Sequence, residues 1–173
     1  MFPILVSFFR TYKDGKQDGL RTWWYENGQK KSEETYKDGE LNGLYTLFHE
    51  NGETKEEGTY KDGQVDGKVK GYYENGQKNY ELTIKDGKQD GLWTWWYENG
   101  QKKEEGTYQD NMKVSKWTYW TPDGQESSEL IYKNGLPWDG KSTYWYENGQ
   151  KKEEGTYKDG KKDGLWTWWY ENG

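Results

Sequence analysis

The chain has 173 residues, 29% of them hydrophobic and 32% charged, with a formal net charge of −6. Apolar content this low ordinarily excludes a packed domain, but 12 Trp and 16 Tyr carry the burial capacity in rings that favour strands, while 23 Gly and a complete lack of Ala count against helices. The acidic balance gives no drive toward nucleic acid or an anionic membrane, and the absence of Cys excludes disulfides and thiolate metal sites.

In chain order, residues 1–11 form an apolar segment, Met1 to Phe9 in particular, that reads as an opening strand. It has no basic n-region or small-residue cleavage site, and it is far shorter than the roughly 20 residues of a membrane helix. A cytoplasmic location is therefore favoured for the chain as given. From Tyr12 to Gly173 the sequence is repetitive. Tyr12-Lys-Asp-Gly15, Tyr36-Lys-Asp-Gly39, Tyr60-Lys-Asp-Gly63, Ile84-Lys-Asp-Gly87, Tyr108-Gln-Asp-Asn111, Tyr132-Lys-Asn-Gly135 and Tyr157-Lys-Asp-Gly160 open seven repeats. The spacing is 24 residues throughout, except where an extra residue near Leu136-Pro-Trp138 makes it 25.

The fullest repeat, Ile84 to Thr107, contains the strand-like run Leu92 to Glu98, the pair Asn99-Gly100, and a second run from Gln101 to Thr107. Asn-Gly between two such runs predicts a two-residue type I′ turn, with positive φ at both positions. Lys-Asp-Gly supplies the turn at the other end, and connections this short predict an antiparallel meander. The turn at Asn99-Gly100 then fixes a register. Tyr97 faces Lys102, Trp95 faces Glu104 and Trp93 faces Gly106 on one face; Trp96 with Lys103, Thr94 with Glu105 and Leu92 with Thr107 share the other. The Trp93 ring is expected to cover the bare backbone of Gly106, as Tyr45 would cover Gly58.

Differences among the repeats support this register, because they come in facing pairs. Arg21 meets Glu34, Gly71 meets Tyr80, Val69 meets Leu82 and Trp117 meets Leu130. The even period places Trp23, Leu47, Trp95, Tyr119 and Trp168 in one row, and the extra residue near Pro137 must be absorbed in a bulge or longer loop. The expected fold class is all-β, an elongated single-layer antiparallel meander of repeated hairpins.

Nothing in the pattern carries chemistry. His49 stands where other repeats have Tyr, and a single His without Cys offers no nucleophile–base pair. Adjacent acids such as Glu104-Glu105 point to opposite faces of a strand, so they cannot act as a pair. Asp86-Gly-Lys-Gln-Asp90 lacks the ligand run and terminal Glu of a calcium loop and reads as turn chemistry. No catalytic residue, metal ligand or cofactor is predicted.

The run from Ile84 to Gln101, and Tyr157 to Gly173, follow the pattern Tyr-x-x-Gly-x-x-x-Gly-x-Trp-x-x-Tyr-Tyr-x-Asn-Gly-Gln. This resembles the MORN repeat, in particular its bacterial variant, the YwqK-type antitoxin family. The resemblance covers nearly the whole chain. It implies a sheet of successive hairpins and a non-catalytic, protein-binding role, with a toxin as one partner. The fifth repeat departs most, with Asn111 and Ser115 for two glycines and Thr121-Pro122 for Tyr-Glu.

Most of the rings are expected to be the sheet's own packing. The exposed ones form the candidate contact surface: Trp23, Tyr25, Trp95, Tyr97, Tyr119, Trp168 and Tyr170. The leading expectation is a non-enzymatic scaffold that binds a protein partner. The alternative is a module that binds glycan or cell envelope by stacking sugars on the ring rows. Neither nucleic acid nor membrane is an expected partner, and open sheet edges allow edge-to-edge self-association.

Overall fold

The computed structural model describes residues 10–146 and 148–172. Residues up to Lys88 form one compact unit and those from Gln89 a second. In the first unit lie β1 (Tyr12–Lys13), β2 (Lys16–Gln17), β3 (Gly19–Trp24), β4 (Lys30–Lys37), β5 (Glu40–Phe48), β6 (Thr54–Lys61), β7 (Gln64–Val65), β8 (Gly67–Tyr72) and β9 (Lys78–Lys85). The short strand β10 (Lys88–Gln89) falls at the division. The second unit holds β11 (Gly91–Trp96), β12 (Lys102–Gln109), β13 (Met112–Trp120), β14 (Glu126–Lys133), β15 (Leu136–Trp145), β16 (Lys151–Lys158) and β17 (Lys161–Trp168). Within each unit the main strands pair antiparallel in chain order, β6 pairing with both the short β7 and β8, while β1 and β2 form a two-stranded ribbon of their own; each unit is an all-β meander of hairpins. The expected opening strand falls mostly on residues 1–9, outside the described residues; Arg10 and Thr11 are not in a strand.

The two turns of the repeat exchange the roles expected of them. At the Lys-Asp-Gly turns both central residues have positive φ, as at Asp62 (49°) and Gly63 (77°), and Lys61 pairs directly with Gln64. These are the two-residue primed turns. At Asn99-Gly100 only the glycine has positive φ. The Gly100 N–H donates to the Tyr97 carbonyl and the Tyr97 N–H to the Gln101 carbonyl, which makes a three-residue loop ending in a left-handed glycine. The Asn99 side chain spans that loop by accepting from the Gln101 N–H.

The longer loop changes two of the expected pairs. Trp96 faces Lys102, rather than Tyr97 facing Lys102 and Trp96 facing Lys103. Lys103 is left over as a bulge, which restores the register a two-residue turn would have given. Beyond it Trp95 faces Glu104, Thr94 faces Glu105, Trp93 faces Gly106 and Leu92 faces Thr107. The pairs Arg21–Glu34, Tyr45–Gly58, Val69–Leu82, Gly71–Tyr80 and Trp117–Leu130 are present as well. A second irregularity recurs at the Gly-Leu step, where the backbone turns left-handed (Gly91, φ 109°). In the fifth repeat Ser115 holds that conformation, at φ 58°.

One face of each sheet gathers rings; the other is a ladder of Thr, Glu and Lys. Thr94, Glu105, Thr118 and Glu129 lie side by side across β11 to β14. Lysines pair with the acids from within the strand and across it, as Lys102 with Glu105 at 2.8 Å and Lys116 with Glu129 at 2.5 Å. Such exposed pairs shape solubility more than stability. Among the described residues the buried apolar side chains are Tyr45 and Val69 in the first unit and Trp93, Trp117 and Leu130 in the second.

The extra residue near Pro137 is taken up by a one-residue register shift between Ile131 and Tyr132. The other strand pairs shift by two at that point: Thr107 faces Val114, but Gly106 faces Trp117. The smaller shift keeps alternation intact yet leaves β15 two residues out of step with β14. Glu105 faces Thr118 in β12–β13, whereas its equivalent Glu129 faces Lys141 rather than Thr143.

Candidate functional site

The predicted row of rings exists within each unit. Ser32 on β4 lies between Trp23 and Leu47 in the first. Glu104 lies between Trp95 and Tyr119 in the second, and Glu153 faces Trp168. The rings touch one another. Trp93 meets Trp95 and Tyr108 at centroid distances of 5.0 and 4.8 Å, and Trp117 meets Tyr108, Tyr119 and Tyr132 at 5.1, 6.5 and 6.2 Å. The ring that covers Gly106 is Trp117 from the following strand, not Trp93; a Cβ built on Gly106 would fall inside that indole. Gly155 lies under Trp166 in the same way, while Tyr80 covers Gly71 and Tyr45 covers Gly58 as expected.

Lysines and carboxylates finish these clusters. Lys113 sits 3.7 Å from the Trp117 ring centroid, donates to the Tyr119 hydroxyl at 3.2 Å, and pairs with Glu104 at 3.3 Å. Lys162 repeats the arrangement over Trp166 at 3.8 Å, with Glu153 as its partner. In the first unit the Arg21 guanidinium lies 4.2 Å over Trp23 and donates to the Tyr36 hydroxyl. Glu56 accepts hydrogen bonds from Tyr45 at 2.7 Å and from Tyr80. Burial, reinforced by the Glu56 carboxylate, pushes the Tyr45 and Tyr80 phenols far above their ordinary pKa; burial, then the Tyr132 hydroxyl, does the same to Tyr119. The Arg21 Nε is left buried without a hydrogen-bond partner, and among the described residues no cluster of His, Asp or Glu could hold a metal ion.

Two of the predicted contact residues have a structural task instead. The Tyr25 hydroxyl donates to the Phe48 carbonyl and the Tyr97 hydroxyl to the Trp120 carbonyl, at 2.8 and 2.9 Å. Tyr146 does the same to Trp169, and the His49 ring nitrogen to Tyr72. Beside each, the Asn side chain of the turn donates to a carbonyl of the next turn: Asn27 to Glu50, Asn51 to Glu74, Asn99 to Pro122 and Asn148 to Glu171. The recurrent Tyr-Glu-Asn-Gly is thus a clamp between repeats, and His49 serves in the Tyr position. The recurrence was the available signal; a contact spanning 23 residues was not readable from it. Trp23, Trp95 and Tyr119 are half-buried in the rows, and the exposed members of the predicted surface are Trp168 at 61% and Tyr170 at 83%.

The MORN repeat variant family matches residues 17–38, 41–62, 65–86, 89–110, 138–159 and 162–173. The chain belongs to this family. MORN repeats are in general modules for protein or membrane interaction, and are not an enzymatic type of repeat. No curated protein matches the chain.

The matches pass over residues 111–137, where the MORN clamp fails. Thr121 holds the Tyr position and Asp123 the Asn position. The Thr121 hydroxyl bonds to Asp123 and to the Gln125 carbonyl, inside its own turn. Asp123 has no N–H to offer the next turn. Next to this turn the β14–β15 ladder ends at Glu129–Lys141. Hydroxyls replace it: Thr143 N–H donates to Ser128 Oγ at 2.9 Å, and Thr143 Oγ1 to the Ser127 carbonyl at 3.2 Å. A hollow of about 790 Å³ opens there on the ring face, lined by Tyr119, Thr121, Ser142, Tyr144, Trp145 and Tyr146 among others. Ser142 stands where other repeats place Trp or Tyr. A shallower hollow of about 430 Å³ in the first unit lies against Ser32, the equivalent of Ser128.

Proposed function

We propose that this chain is a non-catalytic scaffold whose ring face binds a protein partner, with β15 to β17 as the principal contact region. The supporting observation is where large rings stay exposed. Apart from Tyr12 in the first unit, the exposed Trp and Tyr among the described residues lie in the second unit's last three strands or just after them: Tyr144 (44%), Trp168 (61%) and Tyr170 (83%), with Trp145 (40%) beside Lys151 on the opposite face. The equivalents Trp95 and Tyr97 are half-buried, held by neighbours. Trp and Tyr left exposed beside a concavity are the residues that dominate protein interfaces. Toxin neutralisation is the version of this role that the resemblance to YwqK-type antitoxins brings. The net charge of −6 argues against an anionic membrane as the partner.

The test is quantitative affinity capture from the native host, comparing the wild-type chain with Trp168→Ser and Tyr170→Ser. A partner that is retained by the wild type and reduced at least about tenfold by either variant, with unchanged circular dichroism, supports this reading. The partner should then bind the purified chain directly. Equal capture by all three proteins removes β15–β17 as the contact region. Retention of saccharides on a glycan array, lost in the same variants, would replace a protein partner with a glycan.

A further inference from the structure

The hollow lies beside the 121–125 turn, where this repeat lacks a side chain that the regular repeat supplies. In four other turns a ring reaches across to the next repeat and donates to a backbone carbonyl: Tyr25 to Phe48, His49 to Tyr72, Tyr97 to Trp120 and Tyr146 to Trp169. Carried forward with the extra residue, the same step from position 121 leads to the Trp145 carbonyl. Thr121 is too short to reach it and spends its hydroxyl within its own turn. The space is not refilled by collapse, because the β14–β15 ladder has already ended and the two strands are joined there through Ser128 and Thr143 side chains. What remains is the hollow of about 790 Å³, lined by Tyr119 and Tyr144, by the buried Ser128, Leu130 and Ser142, and by Trp145 among others. Its volume falls in the range of small-ligand pockets.

We infer that this slot is a binding site for a hydroxyaryl group, a flat aromatic ring carrying one O–H donor, which takes the place of the missing phenol. The ring would stack between Tyr119 and Tyr144, and its hydroxyl would donate to the Trp145 carbonyl as the phenols of the regular repeats donate to theirs. The hollow has room for such a ring, and the donor is what this turn lacks relative to the regular repeats. The group can arrive as a free phenol or as a Tyr side chain of another protein; the chemistry recognised is the same. This inference does not depend on the Trp168 or Tyr170 side chains contacting a partner, so it and the proposed function can fail separately.

The experiment is a titration of the full chain with p-cresol, and separately with an N-acetylated, amidated tyrosine tripeptide, followed by backbone amide NMR shifts. Both probes should move the amides around Thr121, Ser142 and Thr143. Thr121→Tyr restores the regular clamp and should weaken p-cresol at least about tenfold by occupying the slot, without lowering the unfolding temperature. Tyr144→Ser removes a wall and should weaken it as well, which decides the matter if Thr121→Tyr does not fold. Tighter binding of the peptide than of p-cresol assigns the slot to a protein's Tyr; equal or weaker binding assigns it to free phenols. The inference is overturned if p-cresol moves no amides near the slot, if folded Thr121→Tyr or Tyr144→Ser binds as the wild type does, or if only saccharides shift those amides.

Discussion

In the second unit, β11 to β14 and β15 to β17 are written in the same repeat, yet they pack differently. Trp93, Trp117 and Leu130 are buried in the first group, and Trp117 is 0% exposed, with rings from three positions and Lys113 against it. In the second group Ser142 replaces the ring, Trp166 touches Tyr157, Trp168 and Lys162, and Trp168 stands 61% exposed on an edge strand. A ring in a single sheet is buried by side chains of its own strand together with those of the strands to either side. The same residue is therefore core in one repeat and surface in another, and repeat position alone does not assign its role.

Substitutions can break this comparison. Trp117→Ala is expected to cost about 4 kcal/mol, in the range for removing a fully buried large ring, and Trp168→Ala less than about 1 kcal/mol. Chemical denaturation of the two variants measures both; similar costs would mean that the two groups pack alike. Gly106→Ala, whose Cβ would enter the Trp117 indole, should cost about 3 kcal/mol. Gly155→Ala makes the same overlap with Trp166, but on an edge strand where the ring can shift, so roughly 1 kcal/mol is expected.

Alkaline unfolding sharpens the contrast. Burial raises the pKa of Tyr119, and also of Tyr108 and Tyr132, in the β11–β14 group. A phenol held protonated in the folded state contributes nothing pH-dependent until the unfolded chain ionises, near pH 10. Above that, the unfolded state is favoured progressively as pH rises toward the folded pKa. Stability should thus be flat up to about pH 9 and fall above pH 10, and Tyr119→Phe should move the alkaline midpoint to higher pH, read by near-ultraviolet phenolate absorbance. A small effect of opposite sign is expected at Ser115, which holds φ 58° where other repeats use Gly. Ser115→Gly should gain about 1 kcal/mol by relieving the left-handed conformation, measured by thermal unfolding.

Much of the fold was legible because paired departures between repeats reported real contacts. Arg21 with Glu34 and Gly71 with Tyr80 face each other as their exchange implies. The turn chemistry was legible only in part. Asn-Gly fits both a primed two-residue turn and a longer loop with one left-handed glycine, and the Asn99 side chain, by bonding to Gln101, selects the second. The cover over Gly106 was assigned to the wrong strand because pairing within a hairpin says nothing about the strand on the other side. The candidate contact surface was the least legible. Tyr25 and Tyr97 are clamps whose acceptors lie one repeat away, and the hollow arises from two absences, at Thr121 and Ser142, combined with a register slip that one inserted residue does not announce.

The most direct measurement is amide hydrogen exchange resolved along the second unit. The amides of Gly106, within the β11–β12 ladder, and of Trp117, within the β13–β14 ladder, should be among the slowest. Those of Thr143 and its neighbours, where the β14–β15 ladder gives way to Ser128 and Thr143 side chains, should exchange at least about tenfold faster. Uniform protection from β12 through β16 would contradict the division of this repeat sheet into a packed part and an opened, ring-exposing part.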